Sequence, residues 1–119
     1  MSEKHHSISY LEFAATDVAR AKQFYSAVFG LAFKDYGPDY ASFSAATSGI
    51  NGGFRKSSTD ESTGTGAPLV VFYSADLKAT EEAIVAAGGT IVVPTFEFPG
   101  GRRFHFADGV GNIVAVWSE

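Results

Sequence analysis

The sequence predicts an α+β fold of two tandem βαβββ modules, each a U-shaped mixed sheet with one helix, together forming a concave cleft. Three observations carry that prediction. Asp17 and Asp76 lie 59 residues apart, and so do Gly30 and Gly89, an offset close to half of the 119-residue chain. Each aspartate opens an amphipathic run that its glycine closes. Each run is preceded by one short segment rich in aromatic or branched residues and followed by three more, with turn residues between them.

The first strand is predicted over residues 8–15, and Asp17 then stands where an N-cap belongs, offering its carboxylate to amides that the first helical turn leaves unpaired. The helix predicted over 17–29 turns Val18, Ala21, Phe24, Tyr25 and Val28 to one face and Arg20, Lys22 and Gln23 to the other. Gly30 supplies a left-handed C-cap. Strands over 31–36, 40–45 and 49–54 follow, separated by Gly37-Pro38-Asp39 and Ala46-Thr47-Ser48. The second module repeats the order. A strand over 68–74 leads to the cap Asp76 and to a helix over 76–87 with Leu77, Thr80, Ile84 and Ala87 inward, ended by Gly88 and Gly89. Strands over 90–93, 102–107 and 112–118 complete it, broken around Pro99-Gly100-Gly101 and at Asp108-Gly109-Val110-Gly111.

The expected organisation is one compact domain: a frayed N-terminus at 1–7, the first module at 8–56, a linker at 57–66 and the second module at 67–119. The linker is small and polar, from Ser57 to Gly66. Its ten positions reach roughly 33 Å when extended, which lets the modules pair within one chain or across two.

Composition narrows the function classes. A formal charge of −4 and scattered lysines and arginines argue against nucleic-acid binding, which needs a basic face to displace counterions. Arg102 and Arg103 are adjacent, and they read as one exposed residue and one lining a strand in preference to a phosphate site. Cysteine is absent, so neither a disulfide framework nor thiolate chemistry is available, and a cytoplasmic location is expected. No apolar run approaches 18 residues, and no basic-then-apolar leader stands at the start, so neither membrane spanning nor secretion is expected. Eleven Phe, five Tyr and one Trp are many for this length, and most must form the core.

Phe13-Ala14-Ala15-Thr16-Asp17, Ala21-Lys22-Gln23-Phe24-Tyr25 and Val28-Phe29-Gly30, followed by Ala75-Asp76-Leu77, Ala87-Gly88-Gly89 and Asp108-Gly109-Val110-Gly111-Asn112, resemble the vicinal oxygen chelate superfamily. That group includes glyoxalase I, bleomycin resistance proteins, fosfomycin-modifying enzymes and extradiol dioxygenases. The resemblance runs from Ile8 to Trp117 and implies a cleft between the two concave sheets. In metal-dependent members the cleft holds a divalent ion on four His or carboxylate ligands, and the ion stabilises charge on a substrate bound through vicinal oxygens. Mapped here, the four ligand positions fall on Tyr10, Asn51 or Gly52, Val70 and Ala115, none of them a good ligand. His105 is the single histidine within the folded body, and Glu12 with His105 falls short of the three protein ligands of a catalytic metal site. No metal and no cofactor are expected.

Residues two apart share a strand face, so Tyr10 brings Glu12 and Ala14, Val70 brings Phe72 and Ser74, and Ala115 brings Ile113 and Trp117. The expected site is an apolar, aromatic pocket with few polar handles, formed by Tyr10, Glu12, Asn51, Val70, Phe72, His105, Ala115 and Trp117. The side chains simply filling the cleft is the alternative. Two functions follow. The first is binding of a small apolar or aromatic molecule, as the resemblance to bleomycin resistance proteins implies. The second is a metal-free or atypical-metal lyase or isomerase of the glyoxalase type, related to lactoylglutathione lyase, with Glu12 as base and Tyr10 as acid or oxyanion donor. A twofold homodimer is expected, because two four-stranded modules leave strand edges and a sheet flank uncovered.

Overall fold

The computed structural model describes residues 5–57 and 68–119. Residues 1–4 of the expected frayed terminus, and the expected linker beyond Ser57, lie outside the described residues. The first module comprises β1 (Leu11–Ala15), α1 (Val18–Phe29), β2 (Phe33–Asp35), β3 (Tyr40–Phe43), α2 (Ala45–Ser48) and β4 (Gly52–Lys56). The second comprises β5 (Val71–Tyr73), α3 (Leu77–Ala86), β6 (Thr90–Phe98), β7 (Gly101–Ala107) and β8 (Ile113–Ser118). The sheets have the orders β1-β4-β3-β2 and β5-β8-β7-β6. In each, the first strand pairs parallel with the last and the other pairings are antiparallel.

Both cap aspartates act as the repeat predicts. Asp17 accepts from the Arg20 N–H and Asp76 from the Ala79 N–H, each at 3.1 Å, an interaction worth about 1 kcal/mol. Gly30 ends α1 at φ +70°, whereas α3 ends at Ala87 with Gly88 taking the positive φ. Two elements depart from expectation. Ala46-Thr47-Ser48 belongs to the single helical turn α2, and β6 continues past Val93 through Pro94 to Phe98. β6 is an edge strand, where a missing N–H need cost no ladder bond, and its register shifts on both sides of Val93.

The α1 helix joins the two sheets into one core. Its Tyr25 ring lies 5.0 Å from Phe54 of the first sheet and 6.2 Å from Phe72 of the second, Phe24 lies 5.8 Å from Phe106, and Phe29 stacks on Phe72 at 4.0 Å. Phe13, Phe104, Val114, Val116 and Ile84 are buried around them. Each such side chain contributes about 1.5–3 kcal/mol on burial.

A buried carboxylate locks this packing. Asp108 Oδ1 accepts from the Val110 and Asn112 N–H groups at 2.9 and 3.0 Å, and Oδ2 accepts from the Tyr25 hydroxyl at 2.8 Å and from Asn112 Nδ2 at 3.1 Å. Burial, and then the Asp108 charge, hold the Tyr25 pKa well above its usual value, so the hydroxyl stays a donor. Asn112 Nδ2 also donates to the Ala14 carbonyl at 3.0 Å, and the Thr16 N–H donates to Val110 O at 3.1 Å. The turn from Asp108 to Asn112 needs Gly109 and Gly111, at φ +86° and +111°. Tyr25→Phe, which deletes one bond to a buried charge, is expected to lower stability by about 2 kcal/mol in urea unfolding, and Asp108→Ala by about 3 kcal/mol or more. A loss below about 0.5 kcal/mol for both would remove this network from the account of stability.

Candidate functional site

Alternation gives each sheet one face on the core and one turned away from it. On the first sheet the outer face carries Tyr10 ahead of β1, Glu12 and Ala14 from β1, Tyr40 and Ser42 from β3, and Arg55 from β4. Register places Glu12 beside Gly53, and Arg55 between Ala14 and Tyr40. The hydroxyls of Tyr10 and Tyr40 are hydrogen-bonded, and Tyr40 also bonds Glu12 Oε1 at 3.1 Å. Arg55 Nε lies 3.4 Å from Glu12 Oε2. Burial, followed by the bonds to Tyr10 and Glu12, raises the Tyr40 pKa, which keeps its hydroxyl protonated across the physiological range. This face opens a cavity of about 720 Å³ whose lining includes Tyr10, Lys34, Tyr36, Tyr40 and Asn51. Asn51 has a structural task as well, since its Oδ1 accepts from the Ala45 N–H at 2.8 Å.

Two glycines in β4 make this face possible. A Cβ at Gly53 would collide with the Tyr40 ring and hydroxyl, and one at Gly52 with the Phe43 ring on the opposite side. The Gly52-Gly53 pair was thus a signal of close packing by aromatic rings on both faces.

On the second sheet the outer face carries Val71 and Tyr73 from β5, Ile113, Ala115 and Trp117 from β8, and Arg103 and His105 from β7. Val71, Ala115 and His105 are neighbours across the strands, as are Tyr73, Trp117 and Arg103. Ala115 is fully buried. Trp117 meets Tyr73 edge-on at 5.1 Å and Phe98 at 6.3 Å, and His105 lies 5.8 Å from Phe96. The Tyr73 hydroxyl donates to Glu119 Oε1 at 2.8 Å, which orients its ring. His105 Nε2 is buried without a hydrogen-bond partner. Burial, and then the neighbouring Arg103 charge, lower its pKa, leaving the imidazole neutral at pH 7. Val71, Phe98, Pro99, Gly100, Arg103 and Trp117 line a cavity of about 320 Å³ here.

The expected site residues are therefore divided. Tyr10, Glu12 and Asn51 come together on the first face, and His105, Ala115 and Trp117 on the second. Among the described residues, no hydrogen bond, ion pair or ring contact joins Tyr10, Glu12 or Tyr40 to Tyr73, Arg103, His105 or Trp117. Val70 and Phe72 fall on the other face of β5 from the one expected: both pack against the core, and with Val71 and Tyr73 they line a crevice of about 420 Å³ between β1, α1 and β5. Their neighbours Val71 and Tyr73 hold the outer face. The 59-residue offset itself assigns them, since it maps Glu12 to Val71 and Ala14 to Tyr73. Tyr40, Arg55 and Arg103 also belong to these faces and are legible only once strand register is known.

A divalent ion does not fit. Among the described residues, no group of three or more His, Cys, Asp or Glu is placed to hold a metal. Ala115 and Val71 are hydrocarbon, Gly52 has no side chain, Asn51 Oδ1 is engaged with the backbone of α2, and Glu12 with His105 supplies two ligands where a catalytic site takes three.

No functionally curated protein matches the sequence significantly. Solved structures share the fold. A glyoxalase-related enzyme from Fulvimarina pelagi superposes with a TM-score of 0.77 at 19% identity, covering 96% of this chain and 88% of that one. The fosfomycin resistance protein FosX from Listeria monocytogenes gives 0.78 at 14% identity, covering 98% and 95%. Lactoylglutathione lyase from Agrobacterium tumefaciens gives 0.68 at 18% identity, covering 97% and 95%. The sequence profile of one family matches residues 7–116, nearly the whole chain. The chain belongs to the Glyoxalase/Bleomycin resistance protein/Dioxygenase superfamily.

Proposed function

We propose that this protein binds a small, mostly apolar, aromatic molecule without a divalent ion, in a cleft completed by a second copy of the chain. The observation that carries the reading is the second outer face. Where metal-dependent relatives would place a ligand stands the buried methyl of Ala115; beside it Trp117, which meets Tyr73 edge-on, lines a cavity together with Phe98. Such a surface recognises by area and ring geometry, with few polar handles. The cysteine-free composition suits a reducing compartment, and the cytoplasm is the proposed location.

The two outer faces motivate the second copy. Tyr10, Tyr36, Val71 and Tyr73 are 44%, 57%, 41% and 51% exposed, a large apolar area to leave in water. A twofold dimer sets the first face of one copy against the second face of the other, and reciprocally, so a single isologous contact closes two equivalent clefts. It also covers the outer edges of β1 and β5.

A catalytic reading rests on the chain of hydrogen bonds from Tyr10 through Tyr40 to Glu12, which could relay a proton in a metal-free lyase or isomerase. Binding is preferred because Glu12 is already engaged on both oxygens, by Tyr40 and by Arg55.

Light scattering at tens of micromolar is expected to give twice the 12.6 kDa chain mass, and a monomer mass would contradict the composite cleft. Trp117 is the only tryptophan, so a fluorescence screen of aromatic and aliphatic compounds reports on the second face directly. Aromatic compounds are expected to change the emission, with stacking adding about 0.5–1.5 kcal/mol over aliphatic ones of equal size. Ala115→Trp, which fills the floor, should abolish binding, and Glu12→Gln should retain it. Hits that bind the filled variant equally well would displace the pocket from this face, and turnover lost in Glu12→Gln would favour the enzyme.

A further inference from the structure

We propose that the second outer face recognises an anionic group on its ligand through Arg103, so that the compound bound is an aromatic carboxylate. The inference rests on the reading that this face binds an aromatic compound at all. Arg103 lies directly across from Trp117 on β8 and from Phe96 on β6. Its guanidinium carbon is 5.3 Å from the centre of the Phe96 ring and 5.4 Å from that of Phe98, so two rings hold the head group in place. Its Nε is buried and makes no hydrogen bond.

Three other cations have carboxylate partners. Lys22 lies 2.6 Å from Asp35, Arg55 3.4 Å from Glu12 and Lys78 3.8 Å from Glu82. Among the described residues no carboxylate pairs with Arg103, whose side chain is partly buried against the Phe96 and Phe98 rings. A guanidinium desolvated by aromatic rings and left without a counter-charge is costly to the fold. An anion entering the cavity that Arg103 lines with Trp117 would relieve that cost and meet a planar, pre-oriented fork.

The spacing sets the class of compound. Cross-strand neighbours stand about 5 Å apart at Cβ, so a carboxylate attached directly to a ring, or through one carbon, can reach Arg103 while the ring lies on Trp117. The cavity of about 320 Å³ admits one or two fused rings. General attraction does not explain such binding, because the chain carries a net charge of −4 and repels anions overall.

Calorimetric titration of the purified protein with 2-naphthoate and with its neutral isostere 2-naphthamide tests the proposal. Wild type is expected to bind the carboxylate about tenfold more tightly or better, the value of one charge-assisted hydrogen bond pair. In Arg103→Met that ratio should fall to about one, and Arg103→Lys should restore part of it, with melting curves confirming that both variants fold. Equal binding of the two compounds by wild type, or a ratio that survives in Arg103→Met, would overturn the role of Arg103 while leaving the aromatic site standing. Failure of both compounds to bind would remove the aromatic site and this proposal with it.

Discussion

Asp108 accepts four hydrogen bonds while buried, and the mutual position of the two modules depends on it. A buried carboxylate is tolerated only when its lone pairs are filled, and here the donors come from both modules: Tyr25 from the first helix, and Val110 and Asn112 from the turn before the last strand. The same turn reaches back to Ala14 and Thr16. With α1 clamped in this way, Tyr25 lies against the first sheet and Phe24 and Phe29 against the second, and the opposite face of each sheet is turned away from the core. The availability of two aromatic surfaces for ligand or partner thus follows from where one carboxylate finds its donors.

Much of the fold was legible because its signals are local. The paired aspartates and glycines at a common offset mark helix ends, where capping chemistry restricts residue type, and both caps are formed as read. β6 was underestimated because Pro94 reads as a strand breaker, a rule that holds for central strands and lapses at an edge. The site was harder to read, since a period of two assigns residues to faces without saying which face is core. β5 shows the consequence: in a run of five branched and aromatic residues from Leu69 to Tyr73, both faces are apolar, and a one-residue shift exchanges Val70 and Phe72 for Val71 and Tyr73. Arg103 gave no signal of its own, because its significance lies in Phe96, Phe98 and Trp117 on neighbouring strands.

A scaffold whose metal-dependent members concentrate positive charge at one point here offers hydrocarbon at Val71 and Ala115. Under the proposed function, the physical consequence is a change in the source of binding energy. An ion polarises vicinal oxygens and supports developing negative charge, whereas Tyr73, Trp117 and Phe98 supply contact area and a preferred ring geometry. The first face retains polar groups, but Tyr10, Tyr40, Glu12 and Arg55 are bonded chiefly to one another, which makes them a rigid rim more than a set of vacant ligands.

The account stands or falls on the claim that this member of the superfamily works without a divalent ion, and thermal melting of the chelator-treated protein with added Ni, Zn, Mn or Fe(II) tests it most directly. An ion that binds only the folded state, present at 100 times its dissociation constant, adds about 2.7 kcal/mol, which shifts the melting curve of a small domain by many degrees. The melting temperature is predicted to stay unchanged with all four ions. A clear rise with any one of them, reversed by chelator, would contradict the account.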